Sequence, residues 1–176
     1  MNNRAELLES NVSKEAPEEY LQRCIDLQNV VKNIWAQTPL LFQHLVPSNL
    51  AEVDGKGGIY IIGLLDSNEI LYVGRTVNLK QRLYTNHLMG NQSNARLKKY
   101  LVADKILHEF ALQNGKELFL PNDADHNHKM SFEEAKNFLR NRCYVKFILI
   151  DESRIRGLQE CGLAYALNVK YIEEEH

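Results

Sequence analysis

Two short runs, "GIYIIGLL" and "EILYVG", flank Asp66-Ser67-Asn68 and constrain this chain more than any other stretch. Both are rich in β-branched and aromatic residues, the composition of strands. The connection from Leu65 to Ile70 is only six residues long. A parallel pair needs a crossover of about a dozen residues or more, so the two runs must pair antiparallel, as a hairpin. Each run carries a tyrosine, Tyr60 or Tyr72, and each holds a glycine, Gly63 or Gly74.

The flanks add helices. Residues 1–16 read as loosely ordered or helical. Pro17-Glu18-Glu19 then opens a helix, with proline early and acids in the first turn. Its apolar period runs through Leu21, Cys24, Ile25, Val31, Ile34 and Trp35 to about Gln37. Pro39 and Pro47 bracket a short apolar connection. The glycines of 54–58 mark the entry to the main domain. After the hairpin, Thr76 or Asn78 can cap a helix, and Asn78 with Gln81 fits a relaxed capping box. That helix runs to about Met89, and Ser93 to Val102 reads as another. Asp104 to Lys129, with Asn114-Gly115 and "PNDADHNHK", reads as an irregular insertion. Ser131 with Glu134 marks a capping box for a helix to about Arg142. "YVKFILI", 144–150, is a strand continuous enough to be central, and Asp151 opens a last helix through about Leu167. Three strands among helices predict an α+β domain with a small sheet. The division is an N-terminal helical extension, 1–53, and a domain, 54–176, with the insertion at about 104–143.

The 176 residues are 44% hydrophobic and 25% charged, which permits a folded core and offers no membrane-spanning run. Three cysteines, Cys24, Cys143 and Cys161, match neither a zinc site nor a disulfide framework. With no secretory leader in the N-terminal residues, a reducing cytoplasm is the simplest expectation. The net charge of −2 argues against a strongly basic nucleic-acid protein. Its distribution says more. Residues 70–103 hold Arg75, Lys80, Arg82, Arg96, Lys98 and Lys99 and no acid. Such segregation yields either a local surface for phosphate or two solvated basic helix faces.

"Gly58-Ile59-Tyr60", eleven residues, then "Tyr72-Val73-Gly74" resembles the signature of the GIY-YIG nuclease superfamily. "GRTVNLKQRL" resembles the strand exit and helix start that follow it there, with Arg82 at the place of the family's arginine. "LQECGLAYALNVKY" resembles the final helix, with Glu160 at the place of the metal-binding glutamate. The likeness covers about 58–90 and 144–171 and is looser between them. It implies a three-stranded antiparallel sheet flanked by helices. It also implies hydrolysis of a nucleic-acid phosphodiester, usually DNA, with one divalent ion, Mg²⁺ or Mn²⁺, leaving 5′-phosphate and 3′-hydroxyl ends. Two positions depart from the pattern. Many members carry histidine or tyrosine four residues after the helix arginine. Here Asn86 stands there and His87 one place later, a rotation of about 100° that would swing this auxiliary residue off the site. Where the family closes with proline and asparagine, this chain has Val169 and Ile172.

On that resemblance the catalytic set is Tyr60, Tyr72, Arg82 and Glu160. Glu160 shares its helix face with Gly157, Leu163, Ala164 and Leu167, where a lone carboxylate is costly unless paired or metal-bound. Mg²⁺ accepts such a setting, using one or two carboxylates, waters and substrate phosphates. Tyr60 is the first candidate to activate the attacking water. A free phenol, with a pKa of about 10, is a poor base at neutral pH, and nearby positive charge would lower it. Tyr72 orients the water or shares that task. Arg82 suits the scissile phosphate, as a planar and permanently charged fork. Arg75 adds a phosphate contact. Asn94, Arg96, Lys98 and Lys99 read as contacts to the DNA backbone, which give affinity without sequence choice. Asp123, Asp125, His126 and His128 lack ordered ligand spacing and read as a polar loop. The alternative is a non-catalytic nucleic-acid-binding module on the same fold. Cutting both strands of a duplex would need two sites, hence a homodimer or two sequential events.

Overall fold

The computed structural model describes residues 15–91, 93–116, 118 and 127–172. Its centre is the expected hairpin: β2, Gly58–Leu64, pairs antiparallel with β3, Ile70–Thr76. Tyr60 lies opposite Gly74, Ile62 opposite Tyr72, and the register slips between Ile62 and Gly63. The late strand, β4, Cys143–Leu149, pairs antiparallel with the other side of β2. The sheet is therefore antiparallel, within an α+β fold, as the sequence reading had it. A fourth strand of two residues, β1, Leu40–Leu41, joins β4 from the proline-bracketed connection, giving the order β1-β4-β2-β3. Two residues carry too little period to announce a strand in advance.

Strand alternation sends side chains to two layers. One face of the sheet buries Tyr60, Ile62, Leu71 and Tyr72 with Leu79, Leu83, Leu97, Leu101, Phe110 and Phe138. Leu79 leads into α2, the helical segment Gln81–Leu88, and the other covering residues come from α2, α3, Arg96–Ala103, α4, Lys105–Gln113, and α5, Asn127–Arg142. The other face buries Ile59, Ile61 and Val73 beneath α1, Glu18–Ala36, and α6, Ser153–Ala166. Val30 and Ile34 are the buried positions of α1, while Leu21, Ile25 and Trp35 of the same apolar period are exposed. Where α1 crosses α6, Gly162 admits Leu27: a methyl there would sit 2.7 Å from a Leu27 methyl.

The stretch read as an irregular insertion is more regular than its composition suggests. Asp104 caps α4 by accepting a hydrogen bond from the Ile106 amide at 2.9 Å. Ser131 and Glu134 are not a capping box: α5 begins at Asn127, and both lie within it, buried. Glu134 faces inward because Lys116 and Asn137 satisfy its carboxylate. Residues 1–14, and Asp123, Asp125 and His126 of the polar tract, lie outside the described residues.

Candidate active site

β3 is an edge strand, and its open side borders a cavity of about 700 Å³. Tyr72 and Arg75 reach it from β3, Arg82 from α2, Arg96 from α3 and Glu160 from α6. Four elements thus bring a phenol, three guanidiniums and one carboxylate to a common space. The hairpin does this because β3 exits through Thr76 straight into α2. Thr76 Oγ1 accepts from the Asn78 amide, and Asn78 Oδ1 accepts from the Gln81 amide at 3.1 Å, so the expected cap is formed.

Tyr60 stands behind this cavity and not in its wall. Its ring is fully buried. Arg82 Nε donates to the Tyr60 hydroxyl at 3.0 Å, and that hydroxyl lies 2.7 Å from His87 Nε2. With Arg82 donating, the phenol's own proton goes to His87, whose imidazole is the neutral acceptor. Burial, with Arg82 and Lys98 nearby, pushes the His87 pKa down to about 3. Burial also raises the Tyr60 phenol above its ordinary value, and the pull of Arg82 does not offset this. The expectation that nearby positive charge makes Tyr60 the readier base is thus corrected. Tyr72 is the phenol on the cavity wall, 6.3 Å from Tyr60 between ring centres and within hydrogen-bonding reach of Arg82.

His87 does reach the site, against the rotation argument. The reason is that Gln81–Leu88 is a π-helix, in which the Met89 amide bonds back to the Tyr84 carbonyl at 2.9 Å. On an α-helix a five-residue step leaves two side chains about 140° apart. The wider π-turn bonds residues five apart and brings them onto one side. Arg82 and His87 therefore meet on the same phenolic oxygen, and the chain needs nothing from Asn86.

Two glycines make the approach possible. A methyl on Gly74 would fall on the Tyr60 hydroxyl and lie 2.9 Å from a Tyr72 ring carbon. A methyl on Gly157 would collide with a terminal guanidinium nitrogen of Arg75. That gap lets Arg75 Nε reach Glu160 at 3.1 Å. Burial raises the Glu160 carboxyl above its usual range, while Arg75, Arg82 and Arg96 each draw it back down. Among the described residues, Glu160 is the one acid of the cavity wall and no three His, Cys, Asp or Glu side chains converge. The donor set fits an ion such as Mg²⁺, held by one carboxylate and otherwise by water and substrate oxygens. It does not fit an ion that needs a full protein cage.

Of the residues read as DNA contacts, Arg75 and Arg96 line the cavity. Asn94 and Lys99 are exposed outside its wall. Lys98 is buried at 3% exposure, donates to the Leu88 carbonyl and lies over the Phe132 ring. Burial lowers its pKa to about 8. It belongs to the packing of α3 on α5, which corrects its reading as a backbone contact. Val169 and Ile172, the departures from the family's closing pattern, both line the cavity. The sequence reading missed Tyr100, Tyr165 and Tyr171 in the same wall. Tyr100 follows Arg96 by one helical turn, a spacing that was legible.

Residues 56–115 match the family model of the GIY-YIG catalytic domain, covering the hairpin, α2, α3 and α4. No curated protein and no solved structure matches the chain.

Proposed function

We propose, on the match of residues 56–115 to the model of the GIY-YIG catalytic domain, that this chain is a GIY-YIG nuclease, an endonuclease hydrolysing DNA phosphodiester bonds with a divalent metal ion. One observation carries the reading. Tyr72, Arg82, Arg75 and Glu160 line one cavity although they come from three elements, and Glu160 lies beyond the matched residues. The catalytic unit is 54–176, with 1–53 as its helical extension.

Arg82 holds the scissile phosphate and stabilises the charge that builds on it. Tyr60 positions Arg82 through its 3.0 Å bond, and His87 positions Tyr60 through their 2.7 Å hydrogen bond. Tyr72 assists the activation of the attacking water, orienting it and, as the phenolate, taking its proton to become the neutral phenol. Glu160 would hold the metal ion, which when bound would supply charge for the departing oxygen. Arg75 pairs with Glu160 at 3.1 Å and would be free to contact phosphate where an ion took its place. The products carry 5′-phosphate and 3′-hydroxyl ends. The described residues gather one such set of side chains, so a double-strand break takes two events or two chains.

The test is incubation of the full chain with Mg²⁺ or Mn²⁺ and labelled duplex, branched and single-stranded DNA, with mapped product ends. Cleavage by the wild type and none by Glu160→Gln is expected, with DNA binding largely retained. No cleavage across metals and substrates, with binding intact, would instead favour the non-catalytic binding module.

A further inference from the structure

We propose that the tyrosines of the cavity wall form a stacking subsite for an unpaired nucleobase next to the scissile phosphate, so that the preferred substrate is single-stranded or locally unpaired DNA. This rests on the nuclease reading and narrows its substrate class.

Arg75, Arg82, Arg96 and Glu160 share the cavity wall with Tyr100, Tyr165 and Tyr171. Tyr165 is the telling residue. It is 88% exposed, near the end of α6, so the fold gains almost nothing from burying its ring. Single exposed apolar residues are ordinary on any surface. This one shares a wall with three guanidiniums. Ala164, between Glu160 and Tyr165 in sequence, also lines the cavity and leaves space above the helix.

Two further tyrosines of the wall are held in place. Tyr100 and Tyr171 stack face to face, 5.5 Å between ring centres and 3° between planes. The chain reverses after α6 at Asn168, whose φ is +46°. Lys170 and Tyr171 then donate their amides to the Ile70 and Leu71 carbonyls of the edge strand, each at 3.0 Å. The segment that carries Tyr171 is thereby tied to the sheet.

A paired duplex shows phosphates outward and keeps its base faces stacked inside, out of reach of a phenol ring. A base with a free face can meet such a ring while its own phosphate meets the arginines. Base–aromatic stacking is tolerant of sequence, because every base has a π-face. A cavity of about 700 Å³ has room for a nucleotide.

Tyr165 is exposed, so its replacement spares the fold. Binding is read by fluorescence anisotropy of the full chain with a labelled single-stranded oligonucleotide and the duplex of the same sequence. EDTA is present, so nothing is cut. Tyr165→Ala should weaken single-strand binding by about 5- to 160-fold, the range for one base–aromatic stack. Tyr165→Phe should stay within about twofold of wild type, and duplex binding should move by less than about twofold in both variants. Equal losses on both nucleic acids, no loss on the single strand, or no binding by the wild type would each overturn the proposal. A selective loss in a chain that cuts nothing with metal present leaves the subsite standing and removes the nuclease reading. Duplex cleavage unaffected by Tyr165→Ala, without a selective loss, does the reverse.

Discussion

His87 should make this protein acid-sensitive in a way that one substitution can isolate. The imidazole is buried as a neutral acceptor for Tyr60, and burial, Arg82 and Lys98 hold its pKa at about 3. In the unfolded chain it returns to about 6.5. Between those values the unfolded state binds a proton that the folded state refuses, so stability rises with pH and falls as pH drops below 6.5. From pH 7 to pH 5 the linkage comes to about 2 kcal/mol, and it is nearly unchanged for any folded pKa below about 4. The assay is urea unfolding of wild type and His87→Gln at both pH values. Glutamine can still bond the phenol but cannot titrate. With a slope near 2 kcal/mol per molar urea, the wild-type midpoint should fall by about 1 M more than that of the variant. Other histidines and carboxylates cancel in the difference. Equal shifts in the two proteins would show that His87 is charged or solvated in the fold, and the Arg82–Tyr60–His87 chain would be wrong.

Gly157→Ala replaces a helix-interior glycine, which should stabilise by about 0.5–1 kcal/mol in thermal unfolding. The new methyl expels the Arg75 guanidinium from its gap, so half-maximal cleavage should need less metal as Arg75 stops competing for Glu160. Gly74→Ala strikes rigid neighbours instead: overpacking against Tyr60 and Tyr72 should cost about 1–3 kcal/mol in urea unfolding, with loss of cleavage. Arg96→Ala should weaken DNA binding and reduce the dependence of log K on log salt by about one unit. Lys98→Met should leave that slope unchanged, because Lys98 is turned into the packing against α5.

The elements with a strong local signal were legible in the sequence. The hairpin, β4, α1 and α6 announce themselves by period and composition, and the six-residue connection leaves only one way to pair β2 with β3. The cap at Asn78 was equally local. Errors arose where a local pattern had a tertiary owner. Ser131 and Glu134 have capping-box spacing, yet a buried partner, Lys116, claims the glutamate within α5. Lys98 looks like part of a basic stripe until α5 packs over it. Tyr165 and Tyr171 carry no signal of their own, since membership of the cavity wall depends on how the chain turns back after α6.

The residue types at the site, and their order along the chain, were determined by sequence alone: two phenols on a hairpin, an arginine on the next helix, a glutamate on the last. Tertiary structure decided what each faces. It buries Tyr60 behind Arg82 and leaves Tyr72 on the wall, because the two lie at different depths on one face of the sheet. It also brings His87 to Tyr60 from a position one residue away from the family's usual one. Side-chain spacing in sequence becomes direction in space only through the backbone's hydrogen-bond register, and here α2 takes the π register.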